Sequence, residues 1–287
     1  MKISTEIDSA SRIIGEQKAV ELIAKAGFDA WDFSMFQMAE FNWQENCFSK
    51  SNHILASNSY LKFARELKKI GLDNGIMCNQ SHAPFPSHPP YIFSYLKRAI
   101  ECTAEAGGEI CVIHPGCYWS PEQNAEFYSE LLEFAKGYGV KIATENMYDW
   151  DNEKGHSIFA ACGTPESFNA HLDAVNDGSL VACLDIGHAE MKGSQTSAVE
   201  MILALGDRLQ ALHIHDNDKL HDSHQIPFSM DIDFSPIVKA LNAINYSGYF
   251  TLESPTFLKT YTKENVFSGI KQLADSAKKL ALMFENA

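Results

Sequence analysis

Val140-Lys141-Ile142-Ala143-Thr144-Glu145-Asn146 is a short run of apolar and β-branched residues that ends in a carboxylate and an amide. Such a run has the composition of a strand buried on both faces. The same design returns downstream at Val181–Asp185, Leu209–His213 and Tyr249–Glu253. Working back toward the N-terminus, it is met at Ile110–His114, Gly75–Cys78, Ala30–Phe33 and Met1–Thr5. Between these runs lie stretches with apolar residues at helical spacing, among them Lys18–Ala26, Tyr60–Ile70, Tyr91–Ala106, Asn124–Gly137 and Ala198–Leu205. Gly27, Gly71 and Gly139 stand where helices should end, and Thr164-Pro165-Glu166 and Ser235-Pro236 read as an N-cap followed by a proline at the first helical position. Eight strand–helix units of about 36 residues each predict an α/β fold, a single (β/α)8 barrel over residues 1–287. No G-x-G-x-x-G follows a strand, which removes the best signature of an open doubly wound sheet. The two long non-periodic segments, Met35–Ser51 and Asn146–Cys162, follow the second and fifth strands and fall on the barrel's C-terminal face.

Composition narrows the function. Hydrophobic residues make up 45% of the 287, enough for a sizeable core, and the formal net charge is −14. An acidic field of that size repels phosphate backbones and anionic lipid, so nucleic acid is disfavoured as a partner. No apolar run approaches the length of a membrane helix and no basic-then-apolar leader precedes Ile3, so the expectation is a cytoplasmic protein. The seven cysteines are scattered, without a C-x-x-C pair, and are expected to be reduced and mostly buried.

The strand ends carry the chemistry. His82, His114, Glu145, Asp185, His213 and Glu253 stand at or just beyond the ends of six successive strands, 28 to 40 residues apart. One βα unit per step delivers all six to the same rim, where barrel enzymes keep their active sites. Each has an ordinary explanation by itself; Asp185, for example, also suits the N-cap of a following helix. Gathered together, unneutralised carboxylates are costly, and a bound divalent cation is the natural remedy.

These motifs, Ala143-Thr144-Glu145-Asn146, Leu184-Asp185-Ile186-Gly187-His188, His213-Ile214-His215-Asp216-Asn217 and Thr251-Leu252-Glu253, resemble those of the xylose isomerase-like TIM barrel superfamily over essentially the whole chain. That superfamily holds sugar phosphate isomerases/epimerases, ketose 3-epimerases and abasic-site endonucleases. The resemblance implies a single metal site of Glu145, Asp185, His213 and Glu253, with His188 touching substrate. Three carboxylates and one imidazole form a hard donor set suited to Mn, Mg, Co or Zn. A cation there would bind a carbonyl and its neighbouring hydroxyl, and Glu145 and Glu253 would act as the acid/base pair on the intervening C–H.

The endonuclease branch offers a competing assignment. Its three zinc ions use ligands corresponding to His82, His114, Glu145, Asp185, His188, His213 and Glu253, together with an Asp-x-His matched here by Asp222-Ser223-His224. Against a DNA substrate stands the scarcity of cations at the rim. Of the four arginines only Arg12, in the first βα loop, is placed to meet an anionic substrate, and Lys219 is the only basic side chain between His215 and His221. Arg12 and Lys219 are therefore candidate substrate contacts. Phe33, Phe36, Trp43, Phe85, Tyr118, Trp119, Tyr148 and Trp150 are candidate walls of a sugar-sized pocket. His215 is expected to be structural, and His53, His88, His156 and His171 carry no spacing signal. The expected function is a metal-dependent isomerase or epimerase of a small carbohydrate-like substrate, with a multinuclear zinc hydrolase of a phosphoester and a non-catalytic sugar- or metal-binding barrel as alternatives.

Overall fold

The computed structural model describes residues 1–87 and 90–287, so His88 lies outside the described residues. Eight parallel strands form the barrel: β1 (Lys2–Thr5), β2 (Ala30–Ser34), β3 (Met77–His82), β4 (Ile110–Val112), β5 (Lys141–Glu145), β6 (Leu180–Asp185), β7 (Leu209–His213) and β8 (Tyr249–Leu252). Strands β2 to β7 pair in sequence order as one six-stranded sheet, and β1 pairs with β8. Parallel bridges Glu6↔Asp32 and Ile214↔Leu252 join the two sheets at both seams and close the ring.

The helix that follows each strand packs an apolar face on the outside of the barrel. Val20 and Ile23 do this from Glu16–Ala26, Phe63 and Leu67 from Tyr60–Asp73, and Ile270 and Leu273 from the long C-terminal helix Val266–Glu285. These side chains belong to one continuous buried cluster. A second, small cluster of Val112, Ala143, Val181, Cys183 and Ala211 fills the barrel axis. Strand side chains alternate between faces, so a residue two beyond an axial one is axial too. Ala143, Cys183 and Ala211 thus fix Glu145, Asp185 and His213 as inward-pointing at the C-terminal rim.

Four local expectations change. β3 runs from Met77 to His82 rather than ending at Cys78. Its polar residues read as loop but face other polar groups: Asn79 lies between Ser4 and Thr251, and Gln80 between Asp32 and Thr251. Gly71 lies inside the helix Tyr60–Asp73, where Trp31 Nε1 would be 3.0 Å from an added Cβ, so close packing rather than termination accounts for it. The helix Phe234–Ala243 is capped by Asp233, whose side chain accepts from the Ser235 N–H, so Ser235 is helical rather than the cap. The two long rim segments are each pinned by an antiparallel hairpin, Phe41–Asn42 with Cys47–Phe48 and Tyr148–Asp151 with His156–Phe159. Thr164 caps Pro165–Val175 as expected, and all seven cysteines are free thiols. Among the described residues no helix is long and apolar enough to cross a membrane.

Candidate metal centre and active site

At the rim the inward-pointing side chains of β5 to β8 meet. One potential ligand atom from each of Glu145, Asp185, His213 and the post-β8 residue Glu253 lies within 4.8 Å of the others. Ladder register explains much of this, because Asp185 is the direct partner of His213 and Cys183 that of Glu145. His213 Nδ1 is 2.8 Å from Glu145 Oε1 and 3.4 Å from Glu253 Oε2. Asp185 does cap the short helix Ile186–Glu190, its Oδ1 accepting the His188 N–H at 2.8 Å. That use leaves Oδ2 free for another role.

Two further groups flank this one. His82 and His114 approach the other oxygen of Glu145, at 3.5 and 3.1 Å. On the opposite side, His188, His215, Asp222 and His224 bring their donor atoms within the same 4.8 Å limit. His224 Nε2 is 3.0 Å from Asp222 Oδ2, and His188 Nε2 is 3.5 Å from that oxygen. Every residue named from the sequence as a ligand, His82, His114, Glu145, Asp185, His188, His213, Asp222, His224 and Glu253, is therefore brought into one continuous rim cluster.

His215 belongs to it as well, which the sequence reading did not assign. Its Nε2 lies 3.1 Å from Asp185 Oδ1 and 3.5 Å from Asp222 Oδ1, bridging two of the groups. The period-2 rule that points His213 inward points His215 inward too, since the Ile214↔Leu252 bridge continues the strand past His213. Gly187 makes room for it: an added Cβ there would sit 2.0 Å from the imidazole.

The electrostatics are those of a site assembled around charge. Burial by itself would raise the Glu145 carboxyl, but His213, His114 and His82 outweigh it and hold that group well below the usual carboxylate range. Asp185 is likewise held down against burial by His188 and His215, and Asp222 by His188 and His224. In return, Asp185 and Asp222 overcome burial to lift His188 well above an ordinary imidazole, and Asp222 lifts His224 to about 10. His114 moves the other way, pushed down by burial.

Whether these residues suit a metal is tested by what they leave unsatisfied. Buried polar atoms in folded proteins nearly always have partners. Among the described residues seven buried side-chain polar atoms make no hydrogen bond of good geometry, and four of them, Glu145 Oε2, Asp185 Oδ2, His215 Nε2 and Asp222 Oδ1, lie in this cluster, two with a potential partner atom only 3.1 Å away. Oxygen-rich donors of this type, orphaned and convergent, fit a divalent cation.

Above the cluster opens a cavity of about 370 Å³, of small-molecule size. Glu145, Glu253, His82, His114, His188, Asp222 and His224 face it, whereas Asp185 and His213 lie beneath. Of the expected aromatic walls, Trp43, Phe85, Tyr118, Tyr148 and Trp150 line the cavity. The others do not: Phe33 is core against Trp31, Phe36 supports His82 and Phe85 edge-on, and Trp119 packs on Phe127. Asp149 and the buried Ser87 also face the cavity and carried no sequence signal.

Arg12 and Lys219 are not brought to the cavity. Arg12 is clamped by Asp8 at 2.6 Å and Glu40 at 2.9 Å, and Lys219 is turned to Glu190 at 3.4 Å. Local carboxylates satisfy both, which removes the expected cationic contacts.

A closed eight-stranded barrel with an oxygen-rich, metal-ready rim defines a class of small-molecule barrel proteins, and sequence comparison gives the family. The sequence profile of the xylose isomerase-like TIM barrel family matches residues 20–281, and the chain belongs to that family. An uncharacterized protein of Methanocaldococcus jannaschii is 26% identical, with 88% of this chain and 89% of that protein covered. Fructoselysine 3-epimerase of Escherichia coli O157:H7 is 26% identical over 50% of this chain and 48% of its own length. Among solved structures, a D-tagatose 3-epimerase-like protein superposes with a TM-score of 0.72 at 23% identity, each chain fully covered, a likeness of fold.

Proposed function

We propose that this protein is a divalent-metal-dependent isomerase or epimerase of a small sugar-like substrate, working by proton transfer at the carbon next to a carbonyl. One observation carries the reading. Of the four donors that converge within 4.8 Å, the two glutamates, one ending β5 and one just past β8, three strand positions apart around the ring, are the ones that face the cavity. Asp185 and His213 lie behind them, where they serve as ligands only. The similarity to a fructoselysine 3-epimerase and to a D-tagatose 3-epimerase-like fold supports the same class.

Glu145, Asp185, His213 and Glu253 would hold the cation, which when bound polarises a carbonyl and its adjacent hydroxyl and so acidifies the intervening C–H. The protein's own groups then do the proton work. One glutamate takes the proton from its face of the substrate carbon, and the other delivers a proton to the opposite face, inverting that centre. His188, held through Nδ1 against the Asn146 carbonyl at 2.9 Å, presents Nε2 to the cavity for a substrate hydroxyl. Aromatic walls at Phe85, Tyr148 and Trp150 pack on sugar C–H surfaces and exclude water. The test is incubation of metal-loaded protein with a panel of ketoses, followed by chromatographic detection of the epimer. Epimer formation that requires Glu145 and Glu253 supports the reading, and an absence of turnover across the panel counts against it.

The flanking groups favour a second reading, a multinuclear zinc hydrolase of a phosphoester, because each has enough donors for an ion of its own. Metal analysis separates the two. One equivalent per chain, lost in Asp185→Ala, supports the isomerase; three equivalents of zinc with nicking of abasic-site DNA support the hydrolase.

A further inference from the structure

The cavity's charge has a sign, and the sign bears on the substrate. Among the described residues no lysine or arginine lines it, while Glu145, Asp149, Asp222 and Glu253 all do. Cations near the rim and the flanks are paired elsewhere: Lys154, on the same hairpin as Asp149, with Asp151, Arg12 with Asp8 and Glu40, Lys219 with Glu190, Arg65 with Glu105, Arg208 with Asp173, and Arg98 with the carbonyls of Leu55 and Ser57. At the inner end the carboxylates are offset by imidazoles and by the cation the site would hold, but toward the mouth a phosphorylated substrate would meet no guanidinium or ammonium among the described residues.

The acids in the cavity are not equivalent. Glu145, Glu253 and Asp222 each face an imidazole within 3.4 Å and belong to the metal-ready cluster. Asp149, on the Tyr148–Asp151 arm of the second rim hairpin, is outside that cluster and in no ion pair among the described residues. Its Oδ1 accepts the N–H of Trp150 at 2.7 Å, which fixes the carboxylate but leaves its charge uncompensated. The same cavity is lined by aromatic rings: Trp150, stacked on His221 at 5.8 Å, and Trp43 and Tyr118, which are 67% and 78% exposed. A carboxylate set among aromatic faces is a setting for an ammonium group, which draws on Coulomb attraction and on the ring quadrupoles together. The exposure of Trp43 and Tyr118 leaves ring surface for a bound substituent to cover.

We infer that the substrate carries a cationic amino substituent rather than a phosphate, with Asp149 as its counter-ion and Trp43, Tyr118 and Trp150 as the surrounding walls. This rests on the isomerase or epimerase reading for the chemistry at the inner end, while Asp149 sets selectivity at the outer end.

The test uses four probes on the metal-loaded protein: D-fructose, D-fructose 6-phosphate, D-fructose bearing a propylamino group at C6, and the propyl ether of matching length at C6. In deuterated water, exchange of the C–H beside the carbonyl gives kcat/KM for each, and calorimetry gives Kd. The amine is expected to exceed the matched ether by about 10-fold or more, with the phosphate no better than fructose. Asp149→Asn keeps an acceptor for the Trp150 N–H and is expected to bring the amine-to-ether ratio close to one. A ratio near one in the wild type, a ratio unchanged in Asp149→Asn, or a preference for the phosphate overturns the inference. If no probe exchanges deuterium but the amine still binds more tightly than the ether through Asp149, the amine subsite stands and the isomerase reading falls. If neither of that pair binds, the subsite itself is overturned.

Discussion

Two polar layers share the inside of this barrel, and they are settled in opposite ways. Toward the N-terminal end, Ser4, Asn79, Gln80, Asp32 and Thr251 form a closed hydrogen-bonded set: Ser4 Oγ donates to Asn79 Oδ1 at 2.6 Å, Asn79 Nδ2 to Thr251 Oγ1 at 3.2 Å, and Gln80 Nε2 to Asp32 Oδ2 at 2.9 Å. Nearer the C-terminal rim, the layer of Glu145, Asp185, His213, His215 and Asp222 is just as polar, yet among the described residues it leaves four buried atoms without a well-formed hydrogen bond. Amides and hydroxyls can both donate and accept, so they satisfy one another and the one carboxylate among them, Asp32, which also faces His213 Nε2 of the rim at 3.7 Å. Carboxylates only accept, and imidazoles have one or two protons to offer, so a cluster rich in carboxylates stays incomplete without an added cation. The first layer is architecture, and the second waits for a ligand.

That contrast can be broken in measurable ways. Stripping divalent metal with a chelator is expected to lower the melting temperature by roughly 5–15 °C, with recovery on adding Mn or Zn, because ligand binding to the native state at concentrations far above Kd contributes about 3–4 kcal/mol. Differential scanning calorimetry reads this; a melting curve indifferent to both chelator and metal would mean that the rim, too, is self-sufficient. A smaller effect is expected from Asn79→Leu, which leaves Ser4 and Thr251 in the architectural layer short of partners. It should cost about 1–3 kcal/mol in urea unfolding while metal content stays at the wild-type value. Loss of metal in that variant would show that the two layers are not separable. Smallest of all, Arg12→Ala breaks an exposed pair with Glu40 and one with the buried Asp8, which keeps its hydrogen bond from Gln37, and is expected to cost about 1 kcal/mol and to shift KM by less than about twofold. A larger rise in KM would return Arg12 to the substrate site.

The same contrast explains what the sequence made legible. The eight strands and the six rim residues from His82 to Glu253 could be read because both depend on local pattern: apolar runs, two-residue alternation and a repeat of one βα unit. β3 was cut short because Asn79, Gln80 and Ser81 look like loop until the fold closes and gives Asn79 and Gln80 partners on β1, β2 and β8, and Ser81 a partner in Thr103 of the helix Phe93–Ala106. His215 was passed over in favour of His213, although strand alternation treats the two alike; only the closeness of Asp185 and Asp222 reveals its place. Arg12 and Lys219 were misplaced for a different reason. Glu40 and Glu190 stand 28 and 29 residues from them, so those pairings are tertiary facts; only the Asp8–Arg12 pair, four residues apart on one helix, had a local signature. Asp149 had none either, since its meaning comes from the empty charge around it.

The central claim is that Glu145 and Glu253 move protons as well as hold metal. It is tested most directly by incubating metal-saturated protein with an accepted ketose in deuterated water and following label at the carbon beside the carbonyl. Wild type is expected to incorporate solvent deuterium there as the epimer forms. Glu145→Gln and Glu253→Gln, each keeping shape and one acceptor oxygen, are expected to lose that exchange and to fall in turnover by roughly 10²–10⁴-fold even when metal is saturating. Turnover without label uptake in the wild type, or full rescue of either variant by added metal, would contradict the account.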